Sequence, residues 1–95
     1  MREMTKNTNE KIYSILSSLA SNLGVKEAAF LIETPKEKSH GDLASNIALV
    51  LAKSLKKPPM EIANLLSESL QKESDLRKYF DKVEAIVPGF INFYF

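Results

Sequence analysis

Val83-Glu84-Ala85-Ile86-Val87-Pro88-Gly89-Phe90-Ile91-Asn92-Phe93-Tyr94-Phe95 decides the fold class of this 95-residue chain. Val83, Ala85 and Val87 alternate with Glu84 and Ile86, a period of two that belongs to a strand. Pro88-Gly89 then turns the chain into a second apolar arm, Phe90 to Phe95. Proline presets the first turn torsion and glycine supplies the positive one, so the stretch predicts a C-terminal β-hairpin. If Ile91, Phe93 and Phe95 face inward, Phe90, Asn92 and Tyr94 project from the opposite face. A ring, an amide and a phenol in a row form a candidate nucleic-acid platform. Bases stack on aromatic rings for about 1–3 kcal/mol each, and an asparagine reads a base edge with paired hydrogen bonds. The same face also suits packing against another domain, and periodicity alone leaves both readings open.

Upstream of the hairpin the apolar period is helical. Ile62, Leu65, Leu66 and Leu70 form one stripe, and Pro58-Pro59 both stop the helix before it and start this one. Ser74 to Phe80 reads as one further short helical turn. The preceding helix is predicted to begin near Asp42 as N-cap, with Leu43, Ala44, Ile47, Ala48, Leu51, Ala52 and Leu55 as its stripe. Lys53, Lys56 and Lys57 crowd its end, where the helix dipole favours cations. Ala28 to Glu33 is an apolar run stopped by Thr34-Pro35 and reads as a buried strand, followed by a charged loop from Lys36 to Ser39. Asn9 to Leu23 is an amphipathic helix on Ile12, Ile15, Leu16, Leu19, Ala20 and Leu23, capped by Thr8 or Asn9 and closed by Gly24. The expected fold is α+β in two layers, with helices on one face of a small, mostly antiparallel sheet that ends in the hairpin.

Composition narrows the function without naming it. Hydrophobic residues at 44% and charged ones at 26% describe an ordinary globular domain with room for one modest core. Thirteen basic against twelve acidic side chains leave a net charge of +1, which argues against affinity built on neutralising many phosphates. No cysteine means no disulfide, no thiolate nucleophile and no cysteine-held zinc, and a single histidine, His40, rules out a histidine-rich metal site. No apolar run approaches the roughly 18 residues of a membrane span, and Met1 to Glu10 lacks a signal-peptide core, so a reducing cytosol is the expected compartment. The chain ends at Phe95 inside an apolar strand, which leads us to expect a single domain over residues 1–95 cut from a longer protein.

Enzymatic chemistry finds little support. Ser39-His40-Gly41-Asp42 contains the one side chain of near-neutral pKa, but three neighbours on a loop do not converge as a triad does. Ser39 and Asp42 read instead as a capping box for the next helix, with His40 and Gly41 as its turn. Three scattered glycines make no phosphate loop. The lysines at the end of that helix read as dipole complements first and as phosphate contacts second.

His40-Gly41-Asp42-Leu43-Ala44-Ser45-Asn46-Ile47-Ala48 and Pro88-Gly89-Phe90-Ile91-Asn92-Phe93, with Pro58-Pro59 and Glu61-Ile62-Ala63 between them, resemble the N-terminal additional domain of arginyl-tRNA synthetases. The resemblance runs from about Asn9 to Phe95. It implies the non-catalytic front of a class I enzyme that joins arginine to its tRNA at the expense of ATP. ATP and magnesium would then be requirements of a catalytic domain further along the same chain, and no cofactor is expected here. In the family this domain contacts the D-loop at the outer corner of the tRNA. Phe90 matches the family's phenylalanine at the contact and Asn92 its polar amide, with Tyr94 beyond them on the same face. Some members carry a polar residue where Val87 stands, and valine makes no such hydrogen bond. The alternative reading is a stand-alone protein-interaction module whose hairpin edge adds a partner's strand.

Overall fold

The computed structural model describes residues 6–37, 41–73 and 80–94. Its elements run α1 (Lys6–Asn22), β1 (Ile32–Glu33), β2 (Leu43–Ser45), α2 (Ile47–Leu55), α3 (Pro59–Lys72), β3 (Lys82–Ile86) and β4 (Phe90–Tyr94). α1 starts ahead of the expected caps, so Thr8 and Asn9 lie inside it. It turns Ile12, Leu16 and Ala20 into the core. Its end is closed as expected at Gly24: the Gly24 amide donates to the Ser21 carbonyl at 2.9 Å and the Val25 amide to Ala20 at 3.0 Å. That pair of bonds satisfies carbonyls the last helical turn leaves open. Pro58 and Pro59 act as read from the sequence, with Pro59 in the first helical turn of α3, where a missing amide hydrogen costs nothing.

The sheet has the order β1-β2-β4-β3, and all its pairings are antiparallel. α2 packs on β4 and on α3, and α3 packs on β3 and β4, all from the same side. This is the expected two-layer α+β arrangement. Ile91 and Phe93 are fully buried beneath the helices, and Phe80 stacks on Phe93 with centroids 5.0 Å apart.

Three expectations need correction. The second helix does not begin at Asp42. Leu43, Ala44 and Ser45 form β2, paired with Phe93, Asn92 and Ile91, and the Asp42 amide donates to the Phe93 carbonyl at 2.8 Å. The reason is β4, whose second edge needs backbone partners, while Leu43 and Ser45 bury on one face as readily in a strand as in a helix. Asp42 is therefore not an N-cap; Ser39 and His40 lie outside the described residues. Asn46 takes the cap position of α2, and its neighbour Ser45 accepts the Ile47 amide on Oγ at 3.2 Å. Asn46 reaches elsewhere: its Oδ1 accepts the Leu31 amide at 2.7 Å and ties the β1 segment to the head of α2.

The run Ala28 to Glu33 is likewise not a buried strand. Only Ile32 and Glu33 pair, at the sheet edge, and Leu31 is 57% exposed. Phe30 is buried, but against α1, where it stacks on Tyr13 at 4.5 Å. The hairpin forms as expected, although its turn is shifted by one residue. The Gly89 amide bonds the Ile86 carbonyl at 2.9 Å, which makes Pro88 the third residue of the turn, on a cis peptide. Gly89 also packs where no Cβ fits, since one built there would lie 2.7 Å from Pro59 Cβ and 3.1 Å from Leu49 Cδ2. The hairpin tip is thus seated on the junction of α2 and α3. The helical turn expected at Ser74 to Phe80 falls on residues outside the described ones, apart from Phe80.

Candidate nucleic-acid interface

The sheet face away from the helices is built by strand register. Glu33 pairs with Ala44, Ala44 with Asn92, and Asn92 with Glu84, so one row crosses all four strands. Phe90 pairs with Ile86 on one side of this row, and Tyr94 with Lys82 on the other. Residues paired across antiparallel strands share a face, and alternation along β4 puts Phe90, Asn92 and Tyr94 together on this one, as the sequence predicted.

The face is not flat. A groove of about 320 Å³ lies over the row, lined by Ala44 and Asn92 together with Glu33, Pro35, Ile86, Val87 and Phe90. A second depression of about 170 Å³ adds Leu31, Asn46 and Leu49, and Glu33, Ala44 and Phe90 line both. Phe90 is half-buried and so presents part of its ring between the two hollows. Ala44 supplies the depth, being the smallest side chain in the row. The sequence pattern places it on a helical stripe, and its role shows only once Leu43–Ser45 is a strand.

Asn92 is the unusual group. It is only 4% exposed, yet no described residue hydrogen-bonds its carboxamide. Since no buried side-chain nitrogen or oxygen among the described residues lacks a partner, its polar end reaches the groove surface. An amide so enclosed is poorly hydrated, and a ligand that pairs with it recovers hydrogen bonds the protein itself does not make. Tyr94 stands apart from the groove. The Lys82 ammonium sits 4.3 Å from its ring centroid and 3.2 Å from Glu84 Oε2, so one face of the ring is already covered. Of the three sequence-predicted residues, the structure brings Phe90 and Asn92 to one groove and leaves Tyr94 outside it, further along the same face. Val87 lines the groove with an exposed apolar side chain.

Charge is sparse here. No lysine or arginine is among the described residues lining either hollow, and Lys53, Lys56 and Lys57 lie at and just beyond the C-terminal end of α2. The β3 edge is partly covered: the Val83 carbonyl accepts Gln71 Nε2 at 3.1 Å and Ser67 Oγ at 3.4 Å. Those side chains occupy an acceptor that strand addition along β3 would need, which weighs against the interaction-module reading. Among the described residues no group of three His, Cys, Asp or Glu is placed to hold a metal ion, and no helix is long and apolar enough to cross a membrane.

A two-layer α+β domain, with helices on one sheet face and an aromatic-and-amide groove on the other, is the class this structure defines. The chain matches the Arginyl tRNA synthetase N terminal domain model over residues 6–95 and belongs to that family. Its curated relatives include the arginine–tRNA ligase of Aquifex aeolicus (strain VF5), 47% identical over 95 residues, which covers 100% of this chain and 14% of the relative. The arginine–tRNA ligase of Carboxydothermus hydrogenoformans is 51% identical over 69 residues, covering 73% and 12% respectively. That of Listeria monocytogenes serotype 4a (strain HCC23) is 40% identical over 97 residues, covering 99% and 17%. The chain therefore spans less than a fifth of each of these relatives.

Proposed function

We propose that this domain is the tRNA-contacting, non-catalytic front of an arginine–tRNA ligase, and that Phe90 and Asn92 receive an unpaired base of the D-loop. The observation that carries the reading is the enclosed, unpartnered Asn92 carboxamide beside the half-buried Phe90 ring. Single-stranded loops are where RNA offers unstacked bases, with a face for an aromatic ring and an edge for an amide. Tyr94, under Lys82, would meet the tRNA outside that groove, further along the same face. ATP and magnesium belong on this reading to a catalytic domain elsewhere in the parent chain, and the ligase works in the cytoplasm.

Phe90→Ala and Asn92→Ala in the full-length protein test it by filter binding of tRNA for arginine. Each is expected to weaken binding about 5- to 150-fold, the equivalent of roughly 1–3 kcal/mol, while calorimetric affinities for ATP and arginine stay within about twofold. Unchanged tRNA affinity in both variants, with native circular dichroism, would refute the proposal. The separate domain is expected to bind no tighter than about micromolar.

A further inference from the structure

We propose that Asn46 is a positioning residue: its carboxamide fixes β1 as one wall of the groove, and tRNA binding depends on that wall standing in place. The inference rests on the tRNA reading above and deepens it. Asn46 occupies the N-cap position of α2, where an asparagine ordinarily accepts an amide hydrogen of the first helical turn. Here it does not. Its backbone sits at φ −94°, ψ 14°, its side chain makes no capping bond, and Ser45 Oγ takes the Ile47 amide instead. The Asn46 acceptor reaches across to the Leu31 amide, 15 residues away in sequence, at 2.7 Å. The side chain thus serves β1 and not its own helix.

Little else holds β1. It is an edge strand of two residues, and it pairs with β2 through Ile32 and Glu33 alone. Phe30, buried against Tyr13, anchors the chain just before it, and Ile32 adds a half-buried side chain. A strand this short lies at the low end of local stability, so one hydrogen bond shifts its open population. The same segment builds the site. Leu31 and Glu33 line the smaller hollow, and Glu33 and Pro35 line the groove, across β2 from Phe90 on β4. When β1 opens, that wall leaves, and apparent affinity falls with the fraction of molecules in which it still stands.

The test uses the full-length protein at about 0.3 M salt, where charges more than roughly 6 Å apart are largely screened. Asn46→Ala removes the acceptor but leaves the Ser45 cap, so it should melt within a few degrees of wild type. Hydrogen exchange, read by mass spectrometry on peptides covering Leu31–Glu33, should speed up about 2- to 12-fold, the range of one neutral hydrogen bond. Affinity for tRNA for arginine should fall by at least about twofold, and by no more than exchange rises, because both read the same opening. Asn46→Asp keeps an acceptor of the same size and should restore both to within about twofold of wild type. Unchanged exchange in Asn46→Ala overturns the inference, as does unchanged affinity despite faster exchange. So does protection restored by Asn46→Asp without affinity, or a loss of affinity larger than the rise in exchange, since either marks an amide that touches tRNA itself. If Phe90→Ala and Asn92→Ala still weaken binding in those cases, the D-loop reading survives the loss of Asn46. If they leave binding unchanged, that reading fails with it.

Discussion

Alanine at Gly89 separates a steric requirement from a conformational one, because a second glycine provides the control. Gly24 and Gly89 both have positive φ, +96° and +155°, but a Cβ at Gly24 meets nothing within 4 Å. At Gly89 it would meet Pro59 Cβ at 2.7 Å and Leu49 Cδ2 at 3.1 Å. Gly24→Ala should therefore cost only backbone strain, about 1–2 kcal/mol. Gly89→Ala adds overpacking, about 1–3 kcal/mol more, because Pro59 is a ring in the first turn of α3 and cannot swing aside. Urea unfolding of the 95-residue chain, followed by far-ultraviolet circular dichroism, reads the difference. With a slope of about 1 kcal/mol/M, the midpoint should fall by roughly 1–2 M for Gly24→Ala and by roughly 2–5 M for Gly89→Ala. A chain of this length has about 5–14 kcal/mol of stability from which to lose it. A Gly89→Ala midpoint no lower than that of Gly24→Ala would refute the argument that the hairpin tip is seated on the α2–α3 junction.

Two other variants probe the sheet. Ala44→Leu should fill the space between Glu33 and Asn92 and weaken tRNA binding by the full-length protein at least about tenfold, the scale of losing one stacked and paired base, while melting within a few degrees of wild type. Wild-type affinity in Ala44→Leu would show that no base enters there. Gln71→Ala removes a donor from the Val83 carbonyl and should lower stability by about 0.5–1.5 kcal/mol, measured as a fall in urea midpoint. An unchanged midpoint would mean that water replaces Gln71 at the β3 edge without loss.

The hairpin and its two faces were legible because period-two alternation and the Pro-Gly pair are local signals, and so was α3, announced by its prolines. β2 was not. Leu43, Ala44, Ile47, Ala48, Leu51, Ala52 and Leu55 satisfy a helical stripe without interruption, and only the unpaired edge of β4, some 45 residues later, pulls the first three residues into the sheet. Non-local pairing of this kind leaves no trace in a window of sequence. The site inherited the error: Phe90 and Asn92 were visible from alternation along one strand, whereas Ala44 and Glu33 join them only through register across strands. One local hint existed. Ser45-Asn46 just before Ile47 is a helix-start signal in its own right, and giving it precedence over Asp42 would have freed Leu43–Ser45 to be a strand.

Charge placement has a consequence for what the proposed contact contributes. Affinity for RNA that comes from phosphate neutralisation falls steeply with salt, and discrimination among bases does not. The groove holds an amide, an aromatic ring, a carboxylate and apolar walls, with no lysine or arginine among the described residues that line it. Net charge of the whole chain is +1, so no surplus of cations elsewhere on the domain makes up the difference. On the proposed reading the domain therefore supplies selectivity, and the salt-dependent part of tRNA affinity has to come from the rest of the parent protein. The Phe90→Ala and Asn92→Ala variants carry that argument further than their affinities alone: both should weaken binding by the same factor at every salt concentration, leaving the slope of log affinity against log salt unchanged. A reduced slope would mean that losing the base contact also releases phosphate contacts, and that the domain holds the backbone as well as the base.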